Sequence, residues 1–400
     1  MKMGERSVNE ARNPTPRPRT QEGGAGSGFL HGVPRFIIGS TVKRLSGAEW
    51  FFIVAVLLLA AGLRFVGNTY GQPDPQYSPS DTAVGRLPLE TPIQPDEYFF
   101  VAIPFEMAVT KYPNPRFYES PSFFVNLNFV TYLLTGSGST VDRATWEGHG
   151  QRERAPFPAY VIARAYSGLA GVVTVAAAYA TARRIGGRFA AAGAGLLTAV
   201  SFTLVQHGHY ATPSGVAAAF AAVCVWASLA TLQQRRPNGW LFALATVAAG
   251  LAATTRYNVA GVSIAPFLVG LLLLYRSPSR QTILLVLTGW LLVPLTFVLG
   301  TPGILFDFEY FSRDFSRIFS QFLTTGVGFS ENYLTNPWLS LWFHLRYMAV
   351  YSLGIPAVVA ASLGVAWAWR ASPRRELLKR NSPLLYVAIL LIYLLVYALV

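Results

Sequence analysis

The first long apolar run in the chain is AEWFFIVAVLLLAAGLRF, residues 48–65. It holds one acid near its start and one base near its end. As a helix, a run of this length crosses the roughly 30 Å hydrocarbon core of a bilayer. It follows a long polar tail and is too long for the apolar region of a cleavable leader, so it reads as a signal anchor. Lys43 and Arg44 flank its start and place that end inside. Comparable runs recur at about 157–182, 189–206, 214–232, 240–255, 259–274, 283–299, 338–369 and 384–400. The expected fold class is therefore all-α, a polytopic helical membrane protein with about nine spans.

Composition agrees: 52% of the residues are hydrophobic and only 13% are charged. The net charge of +13 invites a nucleic-acid reading until its distribution is followed. Arg183, Arg184, Arg188, Arg235, Arg236, Arg276, Arg280, Arg370, Arg374, Arg375, Lys379 and Arg380 fall in every second linker, opposed there by Glu376 alone. A positive-inside bias accounts for this pattern and leaves nucleic acid without a role. The single cysteine, Cys224, lies inside an apolar run, so no intrachain disulfide can form.

Residues 1–45 are rich in Pro, Gly, Arg and Ser and read as a disordered cytoplasmic tail ahead of a membrane body at 46–400. Counting from an inside start puts residues 68–156 and 301–336 in two large exterior loops, with fourteen of the nineteen acids on that side. Val400 lies within an apolar run with no polar anchor after it, as if the chain were cut short there. Residues 96–110 place apolar side chains at Phe99, Phe100, Ile103, Met107 and Val109, which suits an amphipathic helix at the interface. Residues 120–134 suit a re-entrant or interfacial helix. Phe308, Phe311, Phe315, Phe319 and Phe322 recur at three- and four-residue spacing, as one apolar face of another interfacial helix.

Few places on this chain can supply a carboxylate for chemistry, because no acid occurs between Glu153 and Asp307. The richest is residues 94–122, QPDEYFFVAIPFEMAVTKYPNPRFYESPS. Asp96 serves either as the N-cap of the helix that follows or as a general base on an acceptor hydroxyl; Glu97 binds the acceptor or supports that base. Arg64, Arg164, Arg256 and Arg346 each sit near the exterior end of a span, against the positive-inside trend. Taken singly each could be a snorkelling side chain or an ion pair; together they suit a lipid phosphate, which Arg binds through paired planar donors. Arg256, within TTRYN beside Tyr257, is the strongest candidate. The exterior turn HGHYATPS carries His207, His209 and Tyr210, a hydrogen-bonding lid over a substrate pocket; Lys111 is a further pocket or acceptor candidate. The two histidines could chelate a metal, but no third ligand adjoins them, so no metal site is expected.

One span, a Pro-Asp-Glu-Tyr stretch at residues 95–98 in a long exterior loop, and the Pro-Ser-Phe of residues 121–123 resemble the GT-C superfamily of lipid-dependent glycosyltransferases. Within it the chain is similar to family 39, the protein O-mannosyltransferase and aminoarabinose-transferase relatives. His209-Tyr210-Ala211-Thr212-Pro213, the Ala253–Asn258 segment and Thr301-Pro302 extend the resemblance. It implies Asp96 as catalytic base and Arg256 on the phosphate of a polyprenyl carrier. It also implies inverting transfer of a sugar, a mannose-like hexose, to a protein, glycan or lipid hydroxyl on the non-cytoplasmic face of the plasma membrane, with no required cofactor. Two positions depart from the pattern: Gln94 stands where the family commonly has His, and Ser214 where it commonly has Asp. The competing class is a transporter or flippase for an anionic lipid or sugar phosphate. Against it stand the lack of repeated spans and of any acid within 155–306 to relay protons.

Overall fold

The computed structural model describes residues 45–69, 94, 96–140, 155, 157–234, 238–324, 337–352, 354–371 and 388–389. They lie within one compact unit, Thr41–Val400. The expected tail at 1–45 lies almost wholly outside them, as does the span expected at 384–400. The described secondary structure is helical throughout: α1 Gly47–Phe65, α2 Glu97–Thr110, α3 Phe123–Leu134, α4 Phe157–Val200, α5 Phe202–Gly208, α6 Pro213–Gln233, α7 Gly239–Thr255, α8 Ile264–Arg276, α9 Arg280–Gly300, α10 Gly303–Phe306, α11 Phe308–Thr324, α12 Pro337–Tyr347 and α13 Ile355–Ala371. A 3₁₀ turn, Tyr257–Ser263, leads into α8.

Among the described residues, five helical stretches are long and apolar enough to cross a membrane: Gly47–Phe65, Pro158–Val200, Pro213–Gln233, Tyr257–Arg276 and Arg280–Gly300. The chain is a membrane protein. α4 covers two of the expected spans in one 44-residue stretch, bent where Gly187 adopts φ 77° and ψ −162°. Only glycine takes that conformation without strain, so the Arg-rich linker at 183–188 becomes a kink. α7 has 17 residues and is slightly short of a full span. The single span expected at 338–369 is instead α12, a π-helical turn Met348–Ser352, and α13.

The start of α1 is tied down. Ser46 and Glu49 form a reciprocal capping box at its start, and Glu49 also pairs with Arg183 at 2.9 Å. α1 packs against α4, α4 against α6, α6 against α7, and α7 against α9. The α6 and α7 faces that meet share a cluster of small buried residues, Ala221, Cys224, Ala248, Ala249 and Ala252. Small residues let helix backbones approach closely where no hydrophobic effect drives them together.

Two of the helices expected at the exterior depart from the interfacial expectation. α2 is not a helix with one wet face: Phe100, Val101, Ala102, Phe105, Met107, Ala108 and Val109 are all buried, and the helix packs against α3. It is a core helix because its residues are apolar around most of its circumference. In α3, Asn128 is buried and donates to the Phe100 carbonyl at 3.2 Å. This partners the amide nitrogen of a side chain that an isolated interfacial helix would leave wet, while its buried Oδ1 has no partner among the described residues. α11 keeps its aromatic row, with Phe308, Phe311, Phe315 and Phe319 following one another at ring spacings of 6.4, 5.7 and 6.0 Å. The Phe322 side chain lies outside the described residues.

Candidate active site

Asp96 occupies the N-cap position of α2, yet its side chain makes no cap hydrogen bond. The turn before the helix is held by Gln94, whose Oε1 accepts the Asp96 backbone N–H at 2.6 Å. The Gln94 amide also lies 3.5 Å from Asp96 Oδ2. The carboxylate is exposed and lines a cavity of about 450 Å³ with His207, Ser214, Arg256, Tyr257 and Asn258. Residues far apart in sequence meet here: the start of α2, the turn after α5, the first turn of α6, and the bend between α7 and α8.

Arg256 sits in that bend in an extended conformation, and its guanidinium donates to the Ser214 hydroxyl. A neutral serine leaves the full positive charge of Arg256 directed at the cavity. Burial, and Arg256 beside it, hold the His207 imidazole below its ordinary pKa.

Glu97 adjoins Asp96 in sequence and points the other way. It is fully buried. Arg164, itself 2% exposed, donates Nε to its Oε1 and an Nη to its Oε2, both at 2.8 Å. The Ala211 backbone N–H adds a third bond at 2.6 Å, while Arg164 also reaches the Asn68 carbonyl at 3.1 Å. One carboxylate thus joins the start of α2, the second turn of α4 and the turn after α5.

The expected convergence of four arginines is not found; of the four, only Arg256 lines the cavity. Arg64 is buried and donates to the carbonyls of Ala60, Thr198 and Ala199 at 3.0–3.2 Å. Two of these belong to the last turn of α4, where a cation meets unpaired carbonyls and the negative end of the helix dipole. A Cβ on Gly208 would lie 2.8 Å from Arg64 Cγ, so glycine there makes room for the side chain. Arg164 is taken by Glu97, and Arg346 is an exposed residue of α12.

The two histidines are likewise divided. His209 has a backbone carbonyl at each ring nitrogen, Val205 at 2.9 Å and Val66 at 3.0 Å. It lines a second cavity of about 390 Å³ with Arg164, Gln206 and Tyr210. Since His207 faces the first cavity and His209 the second, the pair does not form a chelate. Among the described residues no three His, Cys, Asp or Glu side chains cluster. Lys111 is the exposed C-cap of α2 at φ 56° and lines neither cavity.

One stretch of the cavity wall carried no sequence signal of its role. Phe117, Glu119 and Ser120 line the cavity, and α11, the Asp307 that precedes it and Tyr257 hold their segment in place. Asn114 donates to Asp307 at 2.7 Å, the Tyr118 backbone N–H to Asp314 at 3.0 Å, and the Tyr257 hydroxyl to the Tyr118 carbonyl at 3.0 Å. Glu119 pairs with Arg317. Tyr118 is buried beside Asp307 and Asp314, and burial with those two charges raises its phenol pKa. Residues 114–120 belong to the acid-rich 94–122 stretch, but nothing local marks a pairing across nearly two hundred residues.

Fold and site together describe a polytopic helical membrane protein in which one cavity holds a carboxylate and an arginine that has no ion pair among the described residues. Residues 160–302 match the model of the family described as dolichyl-phosphate-mannose-protein mannosyltransferase. The match includes His209–Pro213 and Arg256 and begins beyond Asp96. It bears out the resemblance to the GT-C superfamily drawn from the motifs.

Among solved structures, ArnT from Cupriavidus metallidurans bound to undecaprenyl phosphate is 16% identical, with 88% of this chain and 60% of that one covered at a TM-score of 0.47. Its apo form gives 16%, 87%, 60% and 0.44. The apo oligosaccharyltransferase of Archaeoglobus fulgidus gives 12%, 88%, 50% and 0.43. The chain therefore spans about 60% of the ArnT length and half that of the oligosaccharyltransferase. Curated protein sequences give no significant match.

Proposed function

We propose that this chain is an integral-membrane glycosyltransferase that moves a sugar, a mannose-like hexose, from a polyprenyl-phosphate carrier to an acceptor hydroxyl on the non-cytoplasmic side. The observation that carries the reading is the shared cavity: Asp96, with no capping bond, lines the same space as Arg256, which has a neutral partner. The family match over residues 160–302 supports the donor class.

In the proposed reaction, the Asp96 carboxylate takes the proton of the acceptor hydroxyl as that oxygen attacks the anomeric carbon. The bond from that carbon to the carrier phosphate oxygen breaks, and its electron pair stays on the phosphate. Arg256 stabilises the charge that develops there, as a fixed donor aimed at the place where charge appears. Attack opposite the leaving group inverts the anomeric centre. Glu97 acts as a positioning residue: its ion pair with Arg164 holds the start of α2, and so Asp96, against the 207–213 turn. Arg64 serves the helix end it binds, and the acceptor is a protein, glycan or lipid hydroxyl.

Asp96→Asn preserves shape and polarity but cannot take the proton. With a polyprenyl-phosphate hexose as donor, kcat should fall by about 10² or more while expression and thermal stability stay near wild type. Turnover close to wild type would remove Asp96 from the mechanism. Movement of the carrier-linked sugar across vesicles without transfer would make the protein a flippase.

A further inference from the structure

We infer that His207 is a second contact to the carrier phosphate, donating from Nε2 to an oxygen of the group that Arg256 holds; the inference rests on the reading above. His207 sits one residue before the end of α5 and lines the Asp96–Arg256 cavity. Unlike His209, whose ring nitrogens both meet carbonyls, it makes no hydrogen bond among the described residues, and its Nδ1 is buried with no partner. A buried N–H without an acceptor is the rarer defect. The proton of the neutral ring therefore belongs on Nε2, the nitrogen left to face the cavity. The ring is also braced edge-on against Tyr210, centroids 6.2 Å apart, which limits its freedom to turn away.

The surrounding charges explain what the contact does. Asp96 faces His207 from α2, Glu119 from the segment before α3, Ser214 from the start of α6, and Arg256 with Tyr257 from the bend after α7. Arg64 lies behind it against Gly208. Glu119 is engaged by Arg317, and burial, with Arg256 alongside, favours the neutral imidazole before the carrier arrives. An anionic phosphate bound on Arg256 offsets that cation and raises the His207 pKa. The complex then holds more protons than the free protein, so carrier binding tightens as pH falls through the interval between the bound and free pKa values and gains nothing above both.

The test measures binding of a polyprenyl monophosphate to the detergent-solubilised full chain between about pH 6 and about pH 8, the range in which an imidazole titrates. Wild type is compared with His207→Gln, His207→Asn and Arg256→Ala. Gln places an amide nitrogen near the Nε2 position, and Asn places one near Nδ1. Binding to His207→Asn should weaken about tenfold or more near pH 6, the loss of a hydrogen bond to a charged group, while His207→Gln retains most of the affinity near pH 8. The affinity ratio of wild type to His207→Gln should rise as pH falls; the phosphate's own ionisation is common to both proteins and cancels. A ratio independent of pH, or a His207→Asn protein that binds like wild type, overturns the inference. If Arg256→Ala weakens binding while the His207 variants do not, only the inference fails. If Arg256→Ala also binds normally, the donor site itself is misplaced. Thermal unfolding of each variant, with the isosteric Gln protein as reference, separates lost contacts from lost folding.

Discussion

Asp96 and Glu97 are neighbours in the chain and opposites in the structure, one facing a cavity and the other sealed between helices. Their variants should therefore fail in different ways. Glu97→Gln removes the charge opposite a buried Arg164, and breaking such a pair costs about 3–5 kcal/mol. A clear drop in Tm is expected, and the protein that stays folded should turn over more slowly because the start of α2 has lost its anchor. A Glu97→Gln protein of normal Tm but no turnover would instead place Glu97 in the chemistry. Arg256 offers a third contrast. Arg256→Ala should raise the donor KM more than Arg256→Lys, which keeps the charge but loses the planar fork, and acceptor KM should barely move. Equal changes toward both substrates would mean a damaged fold. The pairing of Glu97 with Arg164 was beyond sequence reasoning because 67 residues separate the partners, whereas the adjacent acids themselves were plain to see.

Among the elements, α11 illustrates how periodicity reports a face without saying what covers it. Its phenylalanine row was legible at once, and an interfacial helix was the natural reading. In the structure the row divides: Phe311 packs on Tyr118 at 5.8 Å and Phe315 on Tyr257 at 5.2 Å, while Phe308 and Phe319 remain 62% and 55% exposed. α11 therefore braces the cavity wall with one part of its aromatic face and leaves the rest outward. Asp314, 5% exposed, fastens the brace through the Tyr118 backbone. Asp314→Ala leaves that buried N–H without its acceptor, a loss of about 1–3 kcal/mol. Hydrogen exchange across residues 112–122 should accelerate while α6 and α7 keep their protection. Unchanged exchange in that segment would show that α11 does not hold the wall. α2 gives the converse case, since an apolar pattern on several sides belonged to a core helix, and only its neighbours reveal that.

On the scale of the whole molecule, the Arg-rich linkers and acid-rich loops predict that Asp96, His209 and Asp307 share the exterior face and that Arg236 and Arg375 are cytoplasmic. Single cysteines at these positions in a Cys224→Ala background, treated with an impermeant thiol reagent in intact cells, should label at the first three and not at the last two. External labelling at 375 would reject the orientation and the number of spans. The sequence by itself determined that the chain lives in a membrane as helices, because runs of apolar residues and the bias of arginine are one-dimensional signals that bilayer thickness and potential read directly. It also determined where carboxylates are available and which short motifs resemble lipid-dependent glycosyltransferases. Only the tertiary structure decided which of those residues meet. Four arginines alike in position along their helices separate into a helix-end cation, a buried ion pair, a surface residue and one cavity residue. Two histidines two positions apart turn into different cavities. Burial and partner choice depend on contacts between segments distant in the chain, and local sequence carries no record of them.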